Sequence, residues 1–292
     1  MQEKKPFLGS ILLLITALIW GLAFVFQSTA MDRIGPLTLT SVRMLCGGAA
    51  LIPLCALFCK DRSREELRQS IRGGILCGSV LCIASLLQQY GIAGTTVGKA
   101  GFISALYIVI VPLLGLFFGR RPKRRDWIGV AVAMLGFFLL SFSGAEGISA
   151  GDALVFVSSV CYSAHILVID RCNRENCDGL IMACVQFLTA GILSFVPMLL
   201  AEHPSGAALA SAWKELLYMS LMSCGVAYTL QIFGQRCTPP TAATLMMSLE
   251  SVFAALSGWI ILGQRLTGRE LLGCALVFSA VLLTQLKKQN TE

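Results

Sequence analysis

The residues of this chain that could do chemistry are few, and they sit in apolar company. Glu250 interrupts the apolar run 242–262 eight residues in, about 12 Å along a helix. A charge at that depth in hydrocarbon costs a few kcal/mol or more, so it faces a cavity or a partner. A carboxyl there could hold a cationic group or take up and release a proton. Its bland alternative is a hydrogen bond between helices, and the functional reading is the better of the two. Tyr228, Gln231 and Gln235 recur at i, i+3 and i+7, which puts them on one face of a helix. Ser85, Gln88 and Gln89 form a similar stripe, and Thr16, Trp20 and Gln27 lie near one face of another. Such stripes face protein or water rather than lipid, and they serve equally as binding groups or as interhelical glue. Trp20 and Tyr107 offer aromatic faces to an organic cation or ring. His165 shares a face with Ser158, Tyr162 and Ile169, and reads as a hydrogen-bonded packing residue ahead of a proton relay.

Two basic residues complete the set. Arg43 and Lys99 lie in the first turns of their runs, where long cationic side chains reach back to the interface. Arg43 is expected to do so. Lys99 stands between Gly98 and Gly101, where close helix packing could instead turn its ammonium towards an anionic group. The candidate lining is therefore Trp20, Gln27, Gln88, Gln89, Lys99, Tyr107, Tyr162, His165, Tyr228, Gln231 and Glu250, with Glu250 the candidate for proton exchange.

Enzymatic constellations are missing. There is no G-x-S-x-G or H-E-x-x-H, and no second carboxylate deep in an apolar run to pair with Glu250. Most of the 12 cysteines lie within apolar runs, none has metal-ligand spacing, and they read as small packing residues. Cys172 and Cys177 share a loop assigned to the reducing cytosolic side, which disfavours a disulfide. No metal, cofactor or Walker A phosphate loop is implied.

The elements that must position these groups follow from composition. Of 292 residues, 56% are hydrophobic and 13% charged, and mean hydropathy is +0.76. A soluble domain carries about 25% charged residues. A cytosolic enzyme, a disordered chain and a nucleic-acid-binding module are excluded, and long continuous apolar runs exclude a membrane barrel. An all-α integral membrane protein remains. Ten runs read as transmembrane helices: Leu8–Met31, Leu37–Cys59, Gly73–Ile92, Thr95–Gly119, Trp127–Phe142, Gly151–Ile169, Leu180–Leu200, Leu216–Phe233, Ala242–Leu262 and Leu271–Leu286. The first is too long for a signal-peptide core and reads as a retained helix.

Basic residues set the orientation. With the N-terminus in the cytoplasm, inner loops hold Lys60, Arg62, Arg64, Arg68, Arg72, Arg120, Arg121, Lys123, Arg124, Arg125, Arg171, Arg174, Arg236, Lys287 and Lys288. Outer loops hold only Arg33, Lys214, Arg265 and Arg269. Both termini are therefore expected inside a cytoplasmic membrane, and the same asymmetry accounts for most of the +7 charge.

The halves resemble each other. Gly119, Arg121, Arg125, Asp126 and Gly129 return 144 positions later as Gly263, Arg265, Arg269, Glu270 and Gly273, and Ser104 returns as Ser248. Five helices per half place the second half upside down in the membrane. The expectation is two inverted five-helix repeats, 1–143 and 150–286, an arrangement typical of secondary transporters with a midplane site.

Several stretches resemble a known family. They are Ile19-Trp20-Gly21, Ser41-Val42-Arg43, Thr95-Thr96-Val97-Gly98-Lys99-Ala100-Gly101-Phe102-Ile103, Leu106-Tyr107, Val111-Pro112-Leu113, Ser248-Leu249-Glu250-Ser251-Val252-Phe253-Ala254-Ala255 and Leu262-Gly263-Gln264-Arg265-Leu266. Together they resemble the EamA branch of the drug/metabolite transporter superfamily over nearly the whole chain. The chain departs at Ser251, where the family often has Pro, and at Gln264, where it often has Glu. The resemblance implies a secondary transporter of small metabolites, commonly an exporter of amino acids or amines, working by alternating access through a cavity within one chain. A functional monomer in the bilayer and proton coupling are consistent with it. A channel-like permease and a non-transporting scaffold are the alternatives. Neither a ring of filter carbonyls or charges nor a soluble output domain is visible for them.

Overall fold

The computed structural model describes residues 6–95, 97–117, 119, 122–141, 149–263 and 266–286. Every regular element among them is helical. In chain order these are α1 (Pro6–Met31), α2 (Pro36–Phe58), α3 (Arg64–Ala93), α4 (Val97–Ser104), α5 (Tyr107–Phe117), α6 (Arg124–Ser141) and α7 (Ala150–Arg174). There follow α8 (Gly179–Ala201), two short helices α9 (Gly206–Ser211) and α10 (Trp213–Leu217), and a π-helical segment (Tyr218–Tyr228). Helices α11 (Thr229–Cys237), α12 (Pro240–Met247), α13 (Leu249–Leu262) and α14 (Gly268–Leu286) complete the chain.

Eight stretches among the described residues are long and apolar enough to cross a membrane, and Asp126–Leu139 is a shorter apolar helix. Leu57, Phe117, Leu200 and Ile260 are exposed on the outside of the bundle, as a lipid-facing surface requires. The chain is a multi-pass integral membrane protein.

Three runs expected as plain helices are not plain. The run beginning at Thr95 breaks at Ala105–Leu106, between α4 and α5. There Ile108 N–H turns back to Ala105 O (3.0 Å), so Ser104 O loses its usual helical donor. The Ser159 hydroxyl from α7 donates to it instead (3.1 Å). The run beginning at Ala242 breaks at Ser248, where Ser251 N–H bonds Ser248 O (3.2 Å). The run beginning at Leu216 is π-helical up to Tyr228, a form enriched at functional sites.

The ends of several helices are matched in kind. Gly119 and Gly263 both have positive φ, +73° and +66°. Asp126 accepts from Lys123 N–H (2.9 Å) at the start of α6, and Glu270 accepts from Thr267 N–H (2.7 Å) at the start of α14. Pro53 in α2 and Pro197 in α8 each lie near the far end of their helix. All four pairs are 144 residues apart.

Helix α2 lies against α8, α3 against α7 and α8, and α6 against α14. Helix α1 runs between α13 and α11, and so crosses the middle of the bundle. The contact with α13 depends on Gly21. A Cβ there would come within 2.3 Å of Phe253 Cβ and 2.9 Å of Glu250 O. At the end of α3, a Cβ on Gly151 would meet Gly94 C and O at 2.5 Å.

Candidate functional site

Helices α1, α2, α3, α7, the π segment and the two broken helices surround one internal cavity. It leaves ≈ 60 Å³ for the centres of water molecules. That is room for roughly four to six waters.

Glu250 lies in the first turn of α13, immediately beyond the break at Ser248. Its side chain lines the cavity, and the residue is 7% exposed. The Tyr107 hydroxyl, from the first residue of α5, donates to Glu250 Oε1 (3.0 Å). Both broken helices thus begin their second pieces with a residue of this pair.

A second group is built from α3 and α7. Tyr162 OH donates to Gln88 Oε1 (3.2 Å) and accepts from Ser85 Oγ (3.2 Å). Gln88 Nε2 in turn donates to Ser104 Oγ (3.2 Å). An aromatic wall faces it. Trp20 and Tyr228 meet edge-on at 4.6 Å between ring centres, and Phe187 lies 5.4 Å from Tyr228. The Trp20 indole N–H donates to Ser223 O in the π segment (3.4 Å). His165 Nε2 shares a 3.0 Å hydrogen bond with Gln186 Oε1. The His165 ring centre lies 6.0 Å from that of Tyr228, and its Nδ1 is buried without a hydrogen-bond partner.

Trp20, Gln27, Gln88, Tyr107, Tyr162, His165, Tyr228, Gln231 and Glu250 all line this cavity. Gln89 stands one step behind, its amide bonded to Gln27. Gln235, on the same stripe as Gln231, donates instead to Ile166 O (3.2 Å) and ties two helices together. The Lys99 side chain lies outside the described residues.

Arg43 corrects the sequence reading. It does not reach the interface: it is 4% exposed and lines the cavity. The reason is depth. Helix α2 starts at Pro36, so Arg43 lies two turns in, about 10 Å from the end. Its Nε has no hydrogen-bond partner, and among the described residues it makes no ion pair. Burying an unpaired guanidinium costs several kcal/mol. Arg43 therefore bears on what the cavity is for. Ser104 and Ser223 also line it and were not expected. The break at Ala105–Leu106 and the π segment bring them there, and neither leaves a side-chain periodicity to read. No His/Cys/Asp/Glu group suited to a metal ion is present among the described residues.

Comparison with known proteins fits this picture. The sequence matches the EamA-like transporter family twice, over residues 7–142 and 149–286. An uncharacterized transporter of Archaeoglobus fulgidus is 28% identical over 276 residues, covering 94% of this chain and 85% of that protein. The threonine/homoserine exporter RhtA of Salmonella typhimurium is 30% identical over 208 residues, covering 64% of this chain and 68% of the exporter. A solved crystal structure has the same fold, with a TM-score of 0.80 at 18% identity, covering 97% of this chain and 98% of that one. A family match across both halves, an apolar helical bundle and a polar cavity at its centre agree, and the chain belongs to the EamA-like transporter family, whose members carry small molecules across membranes.

Proposed function

We propose that this protein is a secondary exporter of amino acids, amines or related metabolites, working by alternating access around the central cavity. The single observation that carries the reading is the Glu250 carboxyl, buried in that cavity and held by Tyr107. Relatives include an exporter named for threonine and homoserine, which agrees with such a cargo. Two inverted five-helix repeats, 1–143 and 150–286, form the moving halves. The family match over each half supports this division, as do the left-handed glycines, caps and prolines at one offset and the breaks within two residues of it. Both termini lie in the cytoplasm, in accord with the basic loops, and one chain is the working unit. A green fluorescent protein fused after Glu292 should then fluoresce, and alkaline phosphatase at the same place should be inactive.

Glu250 is the coupling residue of this proposal. The test is uptake into proteoliposomes of a mixed panel of amino acids, amines, nucleobases and organic cations, with and without an inward acidic gradient. Saturable flux is expected, and it should rise with the gradient. Glu250→Gln should abolish the gradient effect. Normal gradient-driven transport by that variant at every pH would remove Glu250 from the mechanism. Flux that never saturates would favour a channel-like permease.

A further inference from the structure

Two of the ionisable side chains that line the cavity are opposite in kind, one basic and one acidic. Arg43 comes from α2 and Glu250 from α13. Among the described residues no ion pair or hydrogen bond joins them. Left alone in a low-dielectric space, unlike charges attract strongly and each pays heavily for lost water. A molecule lying between two such groups in one cavity, with an anionic end and a cationic end, would satisfy both. The atoms available support this. Tyr107 occupies Glu250 Oε1, and no described residue bonds Oε2. Arg43 Nε has no partner, and Tyr162 and Tyr228 line the same space.

We propose that Arg43 and Glu250 are the two poles of a site for a small zwitterion, with the carboxylate of an α-amino acid on Arg43 and its ammonium on Glu250. This rests on the transport reading above and narrows it, because it excludes simple amines and simple acids as preferred cargo. A guanidinium keeps its charge in any protein setting and presents a planar fork matched to a carboxylate. An amine alone would leave Arg43 unpaired, and an acid alone would leave Glu250 without a cation. Each half-molecule therefore forfeits a charge-assisted contact. The volume of the cavity suits the smaller amino acids.

The test separates binding from flux. The full chain in detergent is screened with each of the 20 common L-amino acids by thermal shift and calorimetry. The strongest binder is then compared with its decarboxylated amine and its deaminated acid; for L-valine these are isobutylamine and isovalerate. The wild-type protein should prefer the amino acid over both by about tenfold or more. Arg43→Gln should erase the preference over the amine, and Glu250→Gln the preference over the acid. Arg43→Lys, which keeps the charge, should restore part of the first preference. The wild-type comparison needs no variant to fold. The proposal is overturned when no amino acid binds, when the amine or acid binds as tightly as its parent, or when Arg43→Gln weakens amine and amino acid equally. Flux of the same three compounds into proteoliposomes is read separately. The expected binding pattern without flux would sink the transport reading and leave the site. Saturable flux of the amine or acid without preference for the parent would do the reverse.

Discussion

Glu202 offers a sharp test of how the helix carrying Arg43 is held. Its carboxylate, at the end of α8, accepts from Leu37 N–H (2.8 Å), Thr38 N–H (2.7 Å) and Thr38 Oγ1–H (2.6 Å). It thus caps the start of α2 from another helix. Removing a side-chain cap costs about 1 kcal/mol, the lost anion at a helix N-terminus about 0.5–1, and the Thr38 hydroxyl bond about 1. Glu202→Ala should therefore destabilise the protein by about 2–3 kcal/mol, which corresponds to a drop in Tm of roughly 5 °C or more. Gly35 supplies the control. A Cβ there would lie 2.2 Å from Glu202 Cδ, although the backbone at φ −73° and ψ 165° accepts alanine. Gly35→Ala must push the carboxylate away and should cost nearly as much as Glu202→Ala. In the double variant the second change should cost almost nothing, because the group it displaces is gone. Thermal unfolding of the four proteins in one detergent gives the coupling. A Glu202→Ala variant within 0.5 kcal/mol of wild type, or strictly additive effects, would refute this account of the cap.

Other perturbations follow from the same geometry. Gly151→Ala should unfold or strongly destabilise the protein, because the new Cβ meets the backbone of Gly94, which has no rotamer to yield; detergent-solubilised yield and Tm would register it. Tyr107→Phe removes the donor to Glu250 and leaves the ring, so the protein should fold normally while KM for its cargo worsens by about tenfold. Unchanged kinetics would show that the hydroxyl plays no part. Gln186→Leu leaves His165 Nε2 buried without its partner, a loss of about 1–3 kcal/mol visible in chemical unfolding. His165→Phe in the same background should recover part of that loss.

How much of this was legible beforehand differs between residues. Glu250 stood out because a lone carboxyl in an apolar run has few explanations. The glutamine and aromatic stripes were legible because helical periodicity survives in a membrane. That Tyr107 would be the residue bonded to Glu250 was not legible. The two are 143 residues apart, and only packing of α5 against α12 and α7 brings the pieces together. Arg43 was misread, because a position two turns into its helix was counted as within reach of the interface, and because direction around the helix axis, which the neighbouring helices set, was left out. The π segment left no trace in the sequence, since its side chains are as apolar as those of an ordinary helix. The breaks were equally silent. Neither Ala105–Leu106 nor Ser248 is a proline or a glycine; a hydroxyl from α7 takes up the carbonyl freed at the first, and at the second the Ser248 hydroxyl bonds Leu245 O of its own run.

The breaks have a counterpart that does not repeat. The left-handed glycines and the caps recur at an offset of 144 residues and the backbone interruptions within two residues of it, but the two cavity charges do not. At that offset Glu250 corresponds to Leu106 and Arg43 to Phe187. The scaffold is thus close to self-matching, while the chamber inside it has a head and a foot. A molecule with unlike ends can lie in it only one way round. On the two-pole proposal its orientation is set by which half bears which sign. Neither counterpart lines the cavity, so the two ends of the chamber differ in which positions face it as well as in the charges those positions carry.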